Sequence, residues 1–151
     1  MLWRWTSATP DAVAHARAAL RCALDQLGYT GDAPDDAVLA VSELVANALE
    51  HAPGPYEVRL RWAAAGLICE VMDGDPCIPA IPSLLSVGLF EPAPDKRGGG
   101  LDALLEVLSE RGRGLQIVHQ LTSGAWGFST ERGKRTKVAW VMIPEGWAAD
   151  R

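Results

Sequence analysis

The hydrophobic period of this chain changes abruptly at Pro53-Gly54-Pro55, and that change constrains the fold more than any other feature of its 151 residues. Before it, Val38, Leu39, Val41, Leu44, Val45, Ala48 and Leu49 recur at the spacing of an amphipathic helix running from about Asp35 to His51. Two prolines around a glycine cannot continue that helix, because proline lacks the amide hydrogen and its ring clashes with the preceding turn. After it, Tyr56, Val58, Leu60 and Trp62 alternate with Glu57, Arg59 and Arg61, the period of a strand with one buried face. Ala63 to Gly66 reverses the chain, and Leu67 to Met72 reads as a more deeply buried strand ending at Asp73-Gly74-Asp75-Pro76. The pair predicts an antiparallel hairpin fed directly by a helix.

The flanking segments extend this pattern. Ser7 and Thr9 are suitable caps for an Ala-rich helix in which Val13, Ala16, Leu20, Ala23, Leu24 and Leu27 recur at helical spacing, with Gly28 placed to end it. Thr30 to Pro34 reads as a turn. From Cys77 onward the chain is rich in proline and without periodicity until Gly98-Gly99-Gly100, so a long lid-like loop is expected at about 77–111. Leu101, Leu104, Leu105 and Leu108 suggest a short amphipathic helix near its end. Gly112-Arg113-Gly114 then introduces a helical run from Leu115 to Leu121, and two strands follow, Ala125 to Glu131 and Lys137 to Ile143, with a turn at Arg132-Gly133. Helices, hairpin, loop, helices and hairpin in that order describe an α+β two-layer sandwich rather than alternating βαβ units.

Composition narrows the function. With 48% hydrophobic and 22% charged residues, residues 1–151 read as one folded domain able to bury about 70% of its unfolded surface. The net charge is −5 and basic residues are scattered from Arg4 to Arg151, so direct contact with nucleic acid is not expected. Cys22, Cys69 and Cys77 have no metal-type spacing and read as buried thiols in a reducing compartment. No apolar stretch reaches the 18 residues of a membrane span, which points to the cytoplasm. Trp3, Trp5 and the apolar strand faces serve either as core or as the contact of a homodimer; core is the expectation, because apolar residues are usually buried.

Three groups of residues carry chemistry. Glu43, Asn47 and His51 are spaced four apart and drift by only about 40° per step, so they line one helix stripe. A carboxylate, a carboxamide and an imidazole there can orient a hydroxyl, coordinate a hard cation and contact phosphate, although the same trio would suit the solvated side of a helix. Asp73 and Gly74 stand where a buried strand gives way to a turn. That is an ordinary place for such residues, and also one where a carboxylate can accept a hydrogen bond from an exocyclic amine. Gly112-Arg113-Gly114 is either a plain helix entry or a glycine-lined approach to phosphates at a helix N-terminus.

The order of these groups resembles the GHKL ATPase superfamily of gyrase, MutL and the histidine kinases. Val41 to His51, VSELVANALEH, is similar to its N box; Glu70 to Pro76, EVMDGDP, to the first glycine box; and Arg111 to Val118, RGRGLQIV, to the second. The preceding helix and the short length look most like the anti-sigma factor serine/threonine kinases of bacteria. The resemblance implies a Bergerat-type sandwich, with a mixed, mainly antiparallel sheet and helices on one face. It implies ATP and Mg²⁺ as cofactors, with Asn47 as the metal ligand, Glu43 as the general base and His51 beside the phosphates. Asp73, with Gly74, would hold the adenine amino group, while Gly112, Gly114 and neighbouring amides such as that of Leu115 would cradle phosphates, with Arg113 as charge partner. The implied partners are a sigma factor and an anti-sigma factor antagonist; a scaffold of this fold that sequesters a regulator without catalysis is the alternative. One departure stands out: the family's Asp-x-Gly-x-Gly is here Asp73-Gly74-Asp75-Pro76.

Overall fold

A computed structural model describes residues 3–29, 31–78 and 109–144, except for the side chains of residues 33, 109–113 and 144. Its elements are β1 (Trp3–Trp5), α1 (Ala12–Gln26), α2 (Asp32–His51), β2 (Tyr56–Ala63), β3 (Gly66–Asp73), α3 (Ser109–Thr122), β4 (Trp126–Thr130) and β5 (Lys137–Pro144). The strands form one sheet in the order β1-β2-β3-β5-β4, and every described pairing is antiparallel. The hairpin read from the change of period is therefore β2-β3, and β3 becomes the central strand.

Strand parity sorts the sheet into two faces. Val58, Val71, Ala139 and Phe128 stand in register across four strands, as do Leu60, Cys69, Val141 and Trp126 in the next inward row. These rows join Leu20, Leu24, Val38, Val41, Leu44, Val45, Leu115 and Val118 of the helices in a single core. The opposite face carries a ladder of ion pairs, Arg4 to Glu57 at 3.4 Å, Arg59 to Glu70 at 3.4 Å and Arg61 to Glu70 at 2.9 Å. The arginines stay partly open to solvent while Glu57 and Glu70 are largely covered by them, and the ladder marks the side that the described helices leave uncovered.

The helices obey local rules. α1 ends where Gly28 adopts a left-handed φ of 90°, which lets the Tyr29 amide return to the Leu24 carbonyl at 2.9 Å. α2 opens with Asp32 and Asp35, carboxylates placed favourably at the positive end of the helix dipole, and Asp35 pairs with Arg21 of α1. Ala37, Val38, Ala40, Val41, Leu44, Val45 and Ala48 are all buried, an arc wide enough to be covered by α1, α3 and the sheet together.

Several expectations need correction. β1 was not anticipated: three residues are too few for a period, yet Trp5 stacks on Tyr56, its register partner, with ring centroids 5.4 Å apart, and Trp3 on Trp5 at 5.0 Å. Both tryptophans pack into or against the core, as expected. Neither Ser7 nor Thr9 caps α1; the N-cap is Asp11, without a side-chain cap bond. α2 begins at Asp32 rather than Asp35, because Pro34 falls in a first turn that needs no amide from it. Trp62, expected on the buried face of β2, is 58% exposed near the strand's end, and Leu39 of α2 also faces solvent. Of the cysteines only Cys69 is buried; Cys22 and Cys77 are exposed, and all three are free. α3 starts at Ser109, so Gly112-Arg113-Gly114 lies inside the helix and the expected loop cannot extend to 111. The rest of that loop and the short helix at 101–108 fall outside the described residues.

One backbone contact ties the turn after α2 to the turn after β3. The Gly74 amide donates to the Pro53 carbonyl at 2.8 Å, and a Cβ on Gly74 would overlap the Gly54 carbonyl oxygen. Gly74→Ala is expected to lower stability by about 1–3 kcal/mol, since the obstacle is backbone that cannot rotate away. Urea denaturation checks this, with Gly28→Asn, at an open left-handed position, expected to cost less.

Candidate functional site

α2 projects Glu43 and Asn47 toward α3, and both are half-buried. Leu115 and Val118, fully buried, hold α3 against α2, and Gly114 sits at the contact. A Cβ placed on Gly114 would lie 3.0 Å from Glu43 Oε1 and 3.9 Å from Asn47 Oδ1. Gly114 thus lets the α3 backbone approach the Glu43 carboxylate more closely than a residue with a side chain would. Burial pushes the Glu43 carboxyl above its ordinary value, and the charge of Glu50 on the same helix pushes it further.

Asn47 faces Asp73 across a small cavity of about 10 Å³, walled by Leu44, Val71 and Phe128 and closed by Lys137. Asn47 Nδ2 is buried there without a hydrogen-bond partner. An orphaned amide in a cavity beside a second polar group is what a ligand-binding carboxamide looks like, because burying it unpaired costs about 1–3 kcal/mol. Asp73 is itself buried, on the helix-facing side at the end of β3. Its nearness also helps raise the pKa of Tyr56, after burial, and the Tyr56 hydroxyl donates to the Ala52 carbonyl at 2.6 Å.

Lys137 was not anticipated from the sequence. Its Nζ lies 3.0 Å from both Asp73 oxygens and 3.2 Å from the Asp75 carbonyl, and the residue is 1% exposed. Period two did hold the signal: Ala139, Val141 and Ile143 point inward, so Lys137 must as well, directly opposite Asp73 in the register. A lysine buried to this degree needs a charge partner.

The remaining candidates are placed as follows. His51 ends α2 with Nε2 3.5 Å from Glu50 Oε1 and does not line the cavity with Asn47 and Asp73. Gly74 serves the turn contact described above. Asp75 turns its carboxylate to the Cys77 amide, at 3.0 Å, rather than into the cavity. Gly112 lies in the first turn of α3, and Gly114 and Leu115 in the second. Gly114 also packs against Glu43. The Arg113 side chain lies outside the described residues. Among the described residues, no helix is long and apolar enough to cross a membrane.

Asn47 carries a hard oxygen donor and an amide nitrogen buried without a partner, and Mg²⁺ takes few protein ligands, so this carboxamide fits a metal-bound nucleotide. Comparison with known proteins agrees with the architecture. The model of the histidine kinase-like ATPase domain matches residues 6–140. A search of curated proteins gives no match. Among solved structures, the Acinetobacter baumannii histidine kinase AdeS is similar at 16% identity and a TM-score of 0.46, over 95% of this chain and 68% of that one.

The raised value of Glu43 makes a signed prediction. Across a window above the ordinary 4.5, the folded state keeps a proton that the unfolded chain has lost, so stability falls as pH rises through it. Glu43→Gln removes that dependence. Its melting temperature should exceed the wild-type value at pH 7 and converge with it below about pH 4. Calorimetry at both values decides, and a difference independent of pH would contradict the assignment.

Proposed function

The chain belongs to the family of histidine kinase-like ATPase domains, and from that premise we propose an ATP-binding regulatory protein, an anti-sigma factor that phosphorylates a serine or threonine of its antagonist. The observation carrying this reading is the convergence of Glu43, Asn47 and Gly114: a carboxylate of raised proton affinity and a carboxamide under one glycine.

In this reading Asn47 would hold Mg²⁺ through Oδ1, and the metal, when bound, supplies positive charge against the phosphate oxygens. Glu43 lies next to Asn47 on the same stripe and accepts the proton of the hydroxyl presented by the antagonist. A carboxylate whose proton affinity is raised does this better at neutral pH than an ordinary one. Gly114 lets α3 pack closely against Glu43. His51, at the end of the same helix, would stand beside the phosphates. The partners follow from the same reading: a sigma factor held by the domain, and an antagonist whose docking releases it.

A second reading, a scaffold of the same fold that sequesters a regulator without catalysis, draws on the ion pair of Asp73 with Lys137, which engages the carboxylate otherwise available to a base.

Radiolabelled ATP, Mg²⁺ and a cognate antagonist separate the two readings. Glu43→Ala is expected to slow phosphate transfer by about 10²–10⁴-fold while leaving nucleotide affinity within about threefold. Asn47→Ala should abolish the gain in affinity that Mg²⁺ gives, as does chelation of the metal by EDTA. Equal transfer by wild type and Glu43→Ala would defeat the role of Glu43, and no binding of ATP with or without Mg²⁺ would leave only the scaffold.

A further inference from the structure

Where the end of α1 meets the start of α2, the surface opens into a cleft of about 220 Å³. Its floor is apolar: Leu24 and Val38 are core residues, 1% and 0% exposed, and Pro34 beside them is buried. Its rim is charged. Arg21 donates through Nη1 to Asp35 Oδ1, while the Asp25 carboxylate takes part in no ion pair or hydrogen bond among the described residues. Asp25 stands in the last turn of α1, at the negative end of the helix dipole, and no basic side chain in that turn offsets it. At the start of α2, Asp32 and Asp35 already answer the positive end. Of the described residues lining the cleft, Arg21 is the one cation, against two carboxylates. The rim therefore favours a cation over an anion.

We infer that this cleft is a docking site for a basic side chain, arginine or lysine, of a protein partner, whose aliphatic stem lies on Leu24, Pro34 and Val38 while its charged head reaches Asp25 and Asp35. Long cationic side chains bury their methylenes along apolar surface and keep the charge in water, which matches an apolar floor with an acidic rim. Size argues for a side chain over a free ligand, since small-molecule sites usually enclose about 300–1,000 Å³. Leu27, between Asp25 and Tyr29 in the chain, is 42% exposed and extends the apolar surface past the cleft, where a protein partner can cover it and a small free cation cannot. From Asp35 to Asn47, α2 rises about 18 Å at about 1.5 Å per residue, so this surface is separate from the candidate nucleotide site and does not depend on that reading.

The probe is N-acetyl-arginine amide, followed through the backbone amide resonances of the isotopically labelled full chain. Shifts are expected within residues 21–38, with a dissociation constant of about 1–10 mM, the range of a fragment of this size. N-acetyl-citrulline amide, the uncharged isostere, should bind about two- to fivefold more weakly, as should the arginine probe to Asp25→Asn, the scale of one exposed ion pair. Arg21→Gln gives the deciding sign. Removing the rim's own cation releases Asp35, so the arginine probe should bind about two- to fivefold more tightly, whereas an anion site would present a weaker rim. Arg21 and Asp25 are both exposed, so these variants should fold, and circular dichroism checks that they do; the comparison of arginine with citrulline on the wild-type chain needs no variant. Weaker binding to Arg21→Gln, equal binding of the citrulline probe, or no shifts within residues 21–38 overturns the inference. Agmatine, a free compound with the same head group, should bind within about tenfold of the probe; micromolar affinity for it would assign the cleft to a free metabolite and overturn the docking of a partner. None of these outcomes involves ATP, so the nucleotide reading stands or fails apart from them.

Discussion

The burial of α2 on three sides organises this molecule. α1, α3 and the sheet each cover part of an apolar arc that runs through Val38, Val41, Leu44, Val45 and Ala48, and the strip left over is narrow. Glu43 and Asn47 occupy that strip where α3 crosses it. Had α2 been an ordinary surface helix, its polar stripe would face bulk water, where a carboxylate keeps its usual proton affinity and an amide finds partners without a ligand. Packing removes the stripe from bulk water, and Gly114 lets the neighbouring helix approach Glu43 closely.

The second polar element is built on a different principle. Asp73 and Lys137 are placed face to face by strand register alone, at the inward ends of two central strands. A lone charge in that position would be strongly destabilising, and the pair offsets it without a need for solvent. A charge pair on the core face is less stabilising than a pair of well-packed apolar residues often is, so its presence directs attention to what lies above it. The cavity between this pair and Asn47 joins both elements in one place.

How much of this was legible in the sequence follows from what each signal measures. Hydrophobic period reports which residues share a face, so α1, α2, the β2-β3 hairpin and the final two strands were readable, along with the stripe of Glu43 and Asn47. It says little about ends, and so the start of α3 came out several residues late and β1, only three residues long, was missed. Trp62 obeys the period of β2 yet stands in solvent, because the sheet's covering does not reach that far along the strand. Lys137 illustrates the deeper limit. Its inward parity was available, but a lysine at a strand end is normally solvated, and only the cross-strand register reveals the carboxylate opposite.

The backbone bond from Gly74 to Pro53 gives this architecture an evolutionary rule. The turn that ends α2 and the turn that follows β3 close on each other through main-chain atoms, with no room for a side chain between them. Insertions and deletions in either turn therefore cannot accumulate independently. A change of length on one side forces a compensating change on the other, whichever residues fill the rest of the loops.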